Sequence, residues 1–282
     1  MEAKLQRRIQ RYGWDLAAAD YEALWRQQLA CAQTKLLACA APAPGEHVLD
    51  VACGTGLIAL GAARLAGPEG RVLGTDISDQ MVEVGRRRAA GQGLSNVTFI
   101  RMDAENLALP DGRFDVALCA LGLMYVPDPL RAVREMRRVV RPGGRLGLVV
   151  WGERSQCGWS PVFSIVESEV ASEVCPLFFQ LGREDTLRRL CAEAGLEAIE
   201  QHRITTTLDY ADAEEACDAA FVGGPVALAW SRFDEAVRAR VRSRYIDAIS
   251  PWRSGGGYRV PGEFVVVVGK RCAQRTVTAV VS

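Results

Sequence analysis

An apolar run that ends in an acid and turns on glycines, Val48-Leu49-Asp50-Val51-Ala52-Cys53-Gly54-Thr55-Gly56, constrains the fold of this chain more than any other segment. It reads as a buried strand, a tight turn and the start of a helix near Leu57. Glycines in such a turn permit positive φ and close approach of a ligand, while the first helical turn presents free N–H groups. Asp76 stands 20 residues beyond Gly56, at the end of a second strand, where a carboxylate can bridge a ribose diol. The turn reads G-x-G rather than G-x-G-x-x-G and contains no phosphate-cradling lysine. The spacing therefore points to a nucleoside cofactor without a pyrophosphate.

The same alternation continues along the chain. Strands are expected at 47–52, 71–75, 97–101, 114–118 and 145–151, with helices at 57–66, 79–91 and 128–140, and a further helix at 15–40. This pattern implies an α/β fold, a Rossmann-like doubly wound sheet of seven mostly parallel strands with helical lid insertions. Order changes after Trp151, where residues 152–183 carry Trp159, Phe163, Phe178 and Phe179 without a strand-helix repeat and read as a lid insertion. A helix at 184–194 with Gly195 as its stop, a strand at 196–206, a second helical insertion at about 211–250 and a last strand at 263–270 complete the pattern. The expected organisation is an N-terminal helical cap (1–44), a cofactor-binding core (45–151), the lid (152–183) and the rest of the core with its insertion (184–282).

Composition narrows the function classes. Lys+Arg and Asp+Glu both number 34, so no global basic field exists to hold a polyanion and nucleic acid is disfavoured as a partner. The basic run Lys4, Arg7, Arg8 and Arg11 suits a phosphate or an acidic membrane surface, or more plainly a solvated helix face. No stretch approaches the roughly 18 apolar residues of a membrane span, and MEAKLQRRIQ is not a secretory start, so a cytoplasmic monomer or homodimer is expected. Nine cysteines contain no C-x-x-C pair, and the histidines are His47 and His202, so neither a disulfide framework nor a metal centre is expected. Most thiols read as small core or pocket-lining residues, with Cys157 and Cys175 in a segment that can border a substrate.

Four further stretches join the first into an ordered set: VLGTDISDQMVEVGR at 72–86, FIRMDAENLALPDGRFDVALCALGLMYVPD at 99–128, EMRRVVRPGGRLGLVVW at 135–151, and AGLE at 194–197 with YRVPGEFVVVVGK beyond it. The set resembles the class I S-adenosylmethionine-dependent methyltransferases, and within them the quinone-biosynthesis C-methyltransferase and related small-molecule branch. The resemblance implies that Asp50, Gly54 and Gly56, with Ala52 in the same turn, surround the amino-acid end of S-adenosyl-L-methionine. It implies that Asp76 holds the ribose, that Ile77 lies against the adenine with Met81 in the same site, and that Asp103 accepts from the adenine amino group beside Ala104. Cys119 falls near the methionyl part, and Tyr21 becomes a contact if the N-terminal helix closes over the cofactor. The implied reaction moves a methyl group to an O, N or C atom of a small, largely apolar or aromatic acceptor and leaves S-adenosyl-L-homocysteine.

Each assignment has a plainer counterpart. Asp50 and Gly56 also suit a structural tight turn, Asp76 a helix cap, Asp103 an ordinary loop and Cys119 the core. A valine at Gly56 is expected to fill the ligand's approach route. Alignment of an acceptor with a sulfonium methyl needs no catalytic side chain for many acceptors; a phenol or enol-like carbon more often needs a base, for which Tyr125 and His202 are the candidates. Trp151, Trp159, Phe163, Phe178, Phe179, Phe221 and Trp230 either line an apolar acceptor pocket or glue the insertions to the core. A nicotinamide-dependent oxidoreductase, a non-catalytic cofactor-binding or interaction module, and methylation of protein or nucleic acid remain the other classes.

Overall fold

The computed structural model describes residues 2–170 and 178–273, so Cys175 lies outside the described residues. One sheet runs through it, built from β1 (His47–Val51), β2 (Arg71–Asp76), β3 (Val97–Arg101), β4 (Phe114–Ala120), β5 (Val140–Trp151), β6 (Leu196–Tyr210), β7 (Arg253–Ser254) and β8 (Gly257–Arg271). The order is β3-β2-β1-β4-β5-β8-β6, with β7 paired to β8 as a short hairpin. The apolar residues Val48, Leu49 and Val51 of β1 are explained by its place: it is flanked by parallel neighbours on both sides, with Val48 opposite Val72 and Val116. Only β8 runs antiparallel to its neighbours β5 and β6 along this path. The expected seven-stranded, mostly parallel sheet is therefore present, with the two-residue β7 as an eighth strand.

The helices are α1 (Ala3–Ala17), α2 (Tyr21–Ala40), α3 (Leu57–Ala66), α4 (Asp79–Gly91), α5 (Pro129–Val139), α6 (Pro161–Glu167), α7 (Thr186–Glu193), α8 (Ala213–Phe221), α9 (Ala227–Arg232) and α10 (Glu235–Ile249). The chain steps outward from β1 to β3 through α3 and α4, then returns past β1 to β4 and β5 through α5. Right-handed crossovers in opposite directions put α3 and α4 on one face and α5 on the other. α2 packs on β5 so closely that a Cβ at Gly147 would lie 3.0 Å from Leu36 and 3.1 Å from Ala40. Local signals set the starts of two helices: the Ser78 hydroxyl accepts from the Met81 amide at 3.1 Å, and the Asp128 carboxylate accepts from the Arg131 amide at 2.9 Å.

Three boundaries differ from the sequence reading. The helix expected at 15–40 is two helices, α1 reaching back to Ala3 and α2 starting at Tyr21. No glycine or proline marks the break; α1 docks on α4 and α9 whereas α2 packs on β5 and β8, and those separate partners set the change of direction. Strand five begins at Val140 rather than 145, because the Arg141-Pro142-Gly143-Gly144 turn is absorbed as a register irregularity opposite Phe114 and Val116. Finally, β6 and β8 pair from Leu196–Arg271 to Tyr210–Tyr258, outrunning the end of β5 at the Trp151–Phe264 pair. The segment with α8, α9 and α10 is carried at the far end of that ribbon, so both it and residues 152–170 stand at the carboxyl end of β5.

Candidate functional site

Strand order reverses between β1 and β4, and in an open α/β sheet such a point leaves a crevice beyond the carboxyl ends of the strands. Both turns at this crevice leave the ordinary backbone regions: Ala52, Gly54 and Gly56 after β1 have φ of 54, 53 and 83°, and Leu121 after β4 has φ of 62°. The turns touch, since a Cβ at Gly122 would lie 2.2 Å from that of Ala52. Above them opens a cleft with an empty volume of about 950 Å³ counted out to its mouth. Its walls form two arms of different chemistry.

The first arm lies over the ends of β1, β2 and β3. Ala52, Gly54, Asp76, Ile77, Met81, Asp103 and Ala104 line it, together with Met102 and Glu105. The Gly54 amide donates to Asp76 Oδ2 and the Ser78 amide to Oδ1, each at 2.9 Å, leaving a second lone pair on each oxygen. Burial raises the Asp76 carboxyl to about 6, and these backbone donors oppose the shift. Asp103 accepts from the Glu105 amide at 2.9 Å and faces Arg7 Nε at 3.1 Å. Glu105, 1% exposed, accepts from the same Nε at 2.8 Å and from the Asp128 amide at 3.0 Å.

Three of the expected cofactor residues sit beneath this arm rather than in its wall. Gly56 does not line the cleft; a Cβ there would meet the Phe99 ring at 2.8 Å, so a valine would collide with the core and not with an entering ligand. The open position is Gly54, where an added Cβ finds no atom within 4 Å. Asp50 is fully buried, and among the described residues neither carboxylate oxygen has a hydrogen-bond partner. Burial drives its carboxyl well above the usual range and the Asp76 charge adds to this; the Ala59 amide opposes the shift from outside hydrogen-bonding geometry. Cys119 is buried too, and loss of solvation pushes its thiol up to about 12, which keeps it protonated.

α1 closes the first arm from above. Arg7, Arg11 and Asp15 recur every fourth residue and reach down to Glu105, to Asp79 at 2.9 Å and to the Ser78 hydroxyl at 2.6 Å. Tyr21, at the start of α2, lines the cleft, and burial, then the Asp76 charge, raises its phenol far enough that it stays a neutral donor. Trp14 meets Tyr21 edge-on at 5.7 Å and Tyr125 at 5.1 Å, and Tyr125 meets Phe178 at 5.4 Å. The result is an aromatic wall between the two arms.

The second arm is apolar. Trp25, Leu29, Trp151, Trp159, Gly224 and Pro225 line it, with Trp151 and Trp159 at 4.8 Å and Trp25 at 6.1 and 5.9 Å from them. Phe163, Phe178 and Phe179 stand behind Trp159, with ring centroids 5.5 to 5.8 Å from it. Phe221 and Trp230 instead stack on each other at 5.0 Å, with Tyr245 against Phe221, and bind α8, α9 and α10 together. The aromatics thus divide between lining and packing. His202 faces neither arm: it sits on β6 opposite Val266, 3.9 Å from Glu200, and does not line the cleft, whereas Tyr125 does. Among the described residues of the second arm none carries a carboxylate or an imidazole, and no cluster of metal-ligating side chains occurs among the described residues.

Arg7 reads in the sequence as part of a basic run better suited to a solvated helix face, and nothing there assigns a cleft role to Gln10, Met102, Glu105, Val126 or Pro127, yet all of these line the cleft together with Trp14. The fourfold spacing of Arg7, Arg11 and Asp15 was the available signal, and it shows only that they share a helix face.

Residues 20–181 match the model of the ubiE/COQ5 methyltransferase family. A ubiquinone/menaquinone biosynthesis C-methyltransferase of Pseudomonas putida is 33% identical over 177 residues, covering 57% of this chain and 69% of that relative. A demethylmenaquinone methyltransferase of Listeria monocytogenes is 41% identical over 120 residues, 43% of this chain and 51% of the relative. Among solved structures, a protein assigned as a methyltransferase from Bacillus halodurans superposes with a TM-score of 0.61 at 22% identity, covering 86% of this chain and 99% of its own. The [4+2]-cyclase SpnF superposes with a TM-score of 0.59 at 24% identity over 90% of this chain and 85% of its own. At these identities the structures speak for the fold alone. The family match takes in the crevice turns and ends before α8, α9 and α10.

Proposed function

The chain belongs to the ubiE/COQ5 methyltransferase family, and from that membership we propose that it methylates a ring carbon of a planar, electron-rich, largely apolar aromatic of the hydroquinone kind. It is an S-adenosyl-L-methionine-dependent methyltransferase acting on a small-molecule acceptor, with S-adenosyl-L-homocysteine as the product of the cofactor. The observation that carries the reading of the acceptor is the tryptophan-lined arm, whose described residues include no carboxylate or imidazole. A flat ring is solvated poorly and stacks well there.

When bound, S-adenosyl-L-methionine supplies a methyl group made electrophilic by its sulfonium. The first arm fits it: Gly54 leaves room for close approach, and Asp76 keeps two free lone pairs for a ribose diol. Asp103 and Ala104 would meet the adenine edge, with Ile77 and Met81 against its faces. An ammonium above the β1 turn would draw the buried Asp50 toward its ionised form. Tyr21, as a neutral phenol, would donate at the boundary of the two arms. α1 and the aromatic wall would shield the reacting methyl group from bulk solvent, while the mouth of the cleft stays open to water.

With no carboxylate or imidazole among the described residues of the second arm, the proposed acceptor is one made nucleophilic by its own substituents. In a hydroquinone the hydroxyl oxygens push electron density to the adjacent ring carbon. That carbon forms the new bond to the methyl as the carbon–sulfur bond breaks, and the ring proton is then lost to water. The residues of the site contribute orientation and desolvation. Incubation with methyl-labelled S-adenosyl-L-methionine and a panel of hydroquinones, naphthols, simple phenols and amines, with the labelled position read by mass spectrometry and NMR, tests this. Label on a ring carbon is expected; label on oxygen or nitrogen, or turnover confined to amines, refutes it.

A further inference from the structure

α1 is inverted relative to an ordinary amphipathic helix. Its inward side carries Arg7, Gln10 and Trp14, which line the cleft, while Leu5, Ile9, Tyr12 and Leu16, spaced i, i+4, i+7 and i+11, form a stripe on the opposite side. Four large apolar side chains are exposed by more than a third among the described residues, and three lie on this stripe: Leu5 at 38%, Tyr12 at 50% and Leu16 at 49%. Ile9 between them is partly exposed. The apolar face of a soluble helix is normally turned to the core; here the core side is occupied by the ion pairs of Arg7 and by Trp14.

Exposed charge within α1 is of one sign. Lys4 and Arg8 are exposed along its edge and make no ion pair among the described residues, in contrast to Arg7 and Arg11, which are bound to acids beneath the helix. The helix contains one acid, Asp15, and it is turned onto the Ser78 hydroxyl. An apolar stripe edged by unpaired cations matches the interface of an anionic bilayer, where the side chains enter the acyl boundary and the cations meet lipid phosphates. A second copy of the chain fits less well, because α1 itself offers those cations no exposed acid.

We propose that the outer face of α1, with Leu5, Tyr12 and Leu16 inserted and Lys4 and Arg8 at lipid phosphates, docks the mouth of the cleft on an anionic membrane surface. Docking there lets an apolar acceptor pass from lipid to the tryptophan-lined arm with little exposure to water. The purpose of the docking rests on the acceptor reading above, but the docking itself is measured without acceptor, so the two fail separately.

The experiment is co-sedimentation of the full chain with vesicles of phosphatidylcholine alone and of phosphatidylcholine mixed with phosphatidylglycerol, at several salt concentrations. Binding to the mixed vesicles, weakening with salt, is expected. The pair Lys4→Gln/Arg8→Gln should bind about thirty-fold more weakly, and Leu5→Ser/Tyr12→Ser/Leu16→Ser should abolish sedimentation. Both should keep wild-type affinity for S-adenosyl-L-homocysteine, which shows that the cleft is intact. Wild-type protein that stays in solution with both vesicles overturns the proposal. So does vesicle binding unchanged in both variants, or a wild-type dimer in ultracentrifugation that the apolar triple variant dissolves.

Discussion

Replacing Asp76 by alanine should cost most of the affinity for S-adenosyl-L-homocysteine and remove its dependence on pH. The carboxylate already accepts from Gly54 and Ser78 at 2.9 Å, which leaves one lone pair on each oxygen for a ribose hydroxyl. Hydrogen bonds to a charged acceptor are worth about 1.5–3 kcal/mol each, so losing two, with water partly replacing them, predicts an affinity roughly 100- to 1000-fold lower near neutral pH. Because the free carboxyl titrates at about 6, wild-type affinity should hold above that value and fall about tenfold per pH unit below it. Stability moves the other way. The folded pKa lies above the unfolded one, near 4, so the fold binds the extra proton between those values and loses about 3 kcal/mol from this group as pH rises from about 4 to 6. The alanine variant escapes that loss but leaves the Gly54 and Ser78 amides without their acceptor, so its melting temperature at pH 7 should stay near wild type. Calorimetric titration from pH 5 to 7.5 beside thermal melts separates the two effects. A variant within threefold of wild type, or a flat wild-type profile across that range, refutes the ribose role.

The two turn glycines should fail differently. Gly54→Ala, at φ 53° with open space around the new methyl, should weaken cofactor binding at least tenfold for about 1 kcal/mol of stability, whereas Gly56→Ala, 2.8 Å from the Phe99 ring, should first cost stability, about 2–3 kcal/mol; calorimetry and melting curves on both distinguish them. Cys119→Ser should turn over acceptor within a few-fold of wild type, and thiol titration at pH 8 should modify exposed Cys272 early and Cys119 only on unfolding. His202→Ala should leave kcat unchanged across pH 6–9 in steady-state assays, since the imidazole lies on β6 outside the cleft.

The sequence by itself determined the elements whose causes are local. The apolar residues Val48, Leu49 and Val51 mark β1 as a buried strand, glycines permit the positive φ of its turn, and Ser78 and Asp128 cap the helices they precede, all signals read within a few residues. Asp76 could be placed at a strand end for the same reason. Only the tertiary structure decided which side chains of those elements reach the cleft. Gly54 and Gly56 read alike in the motif, yet Phe99 fills the space beside one and leaves the other open. The break between α1 and α2 has no breaker residue, because it follows from the two helices packing on different partners. Arg7 and Glu105 are 98 residues apart, and nothing near either marks the other as its partner. These aromatics read alike in the sequence, but Trp151 and Trp159 line the cleft while Phe221 and Trp230 stack away from it. Short-range sterics and hydrogen bonds are written in neighbouring residues; the pairing of distant surfaces depends on how whole elements pack, and that becomes definite only when the sheet is assembled.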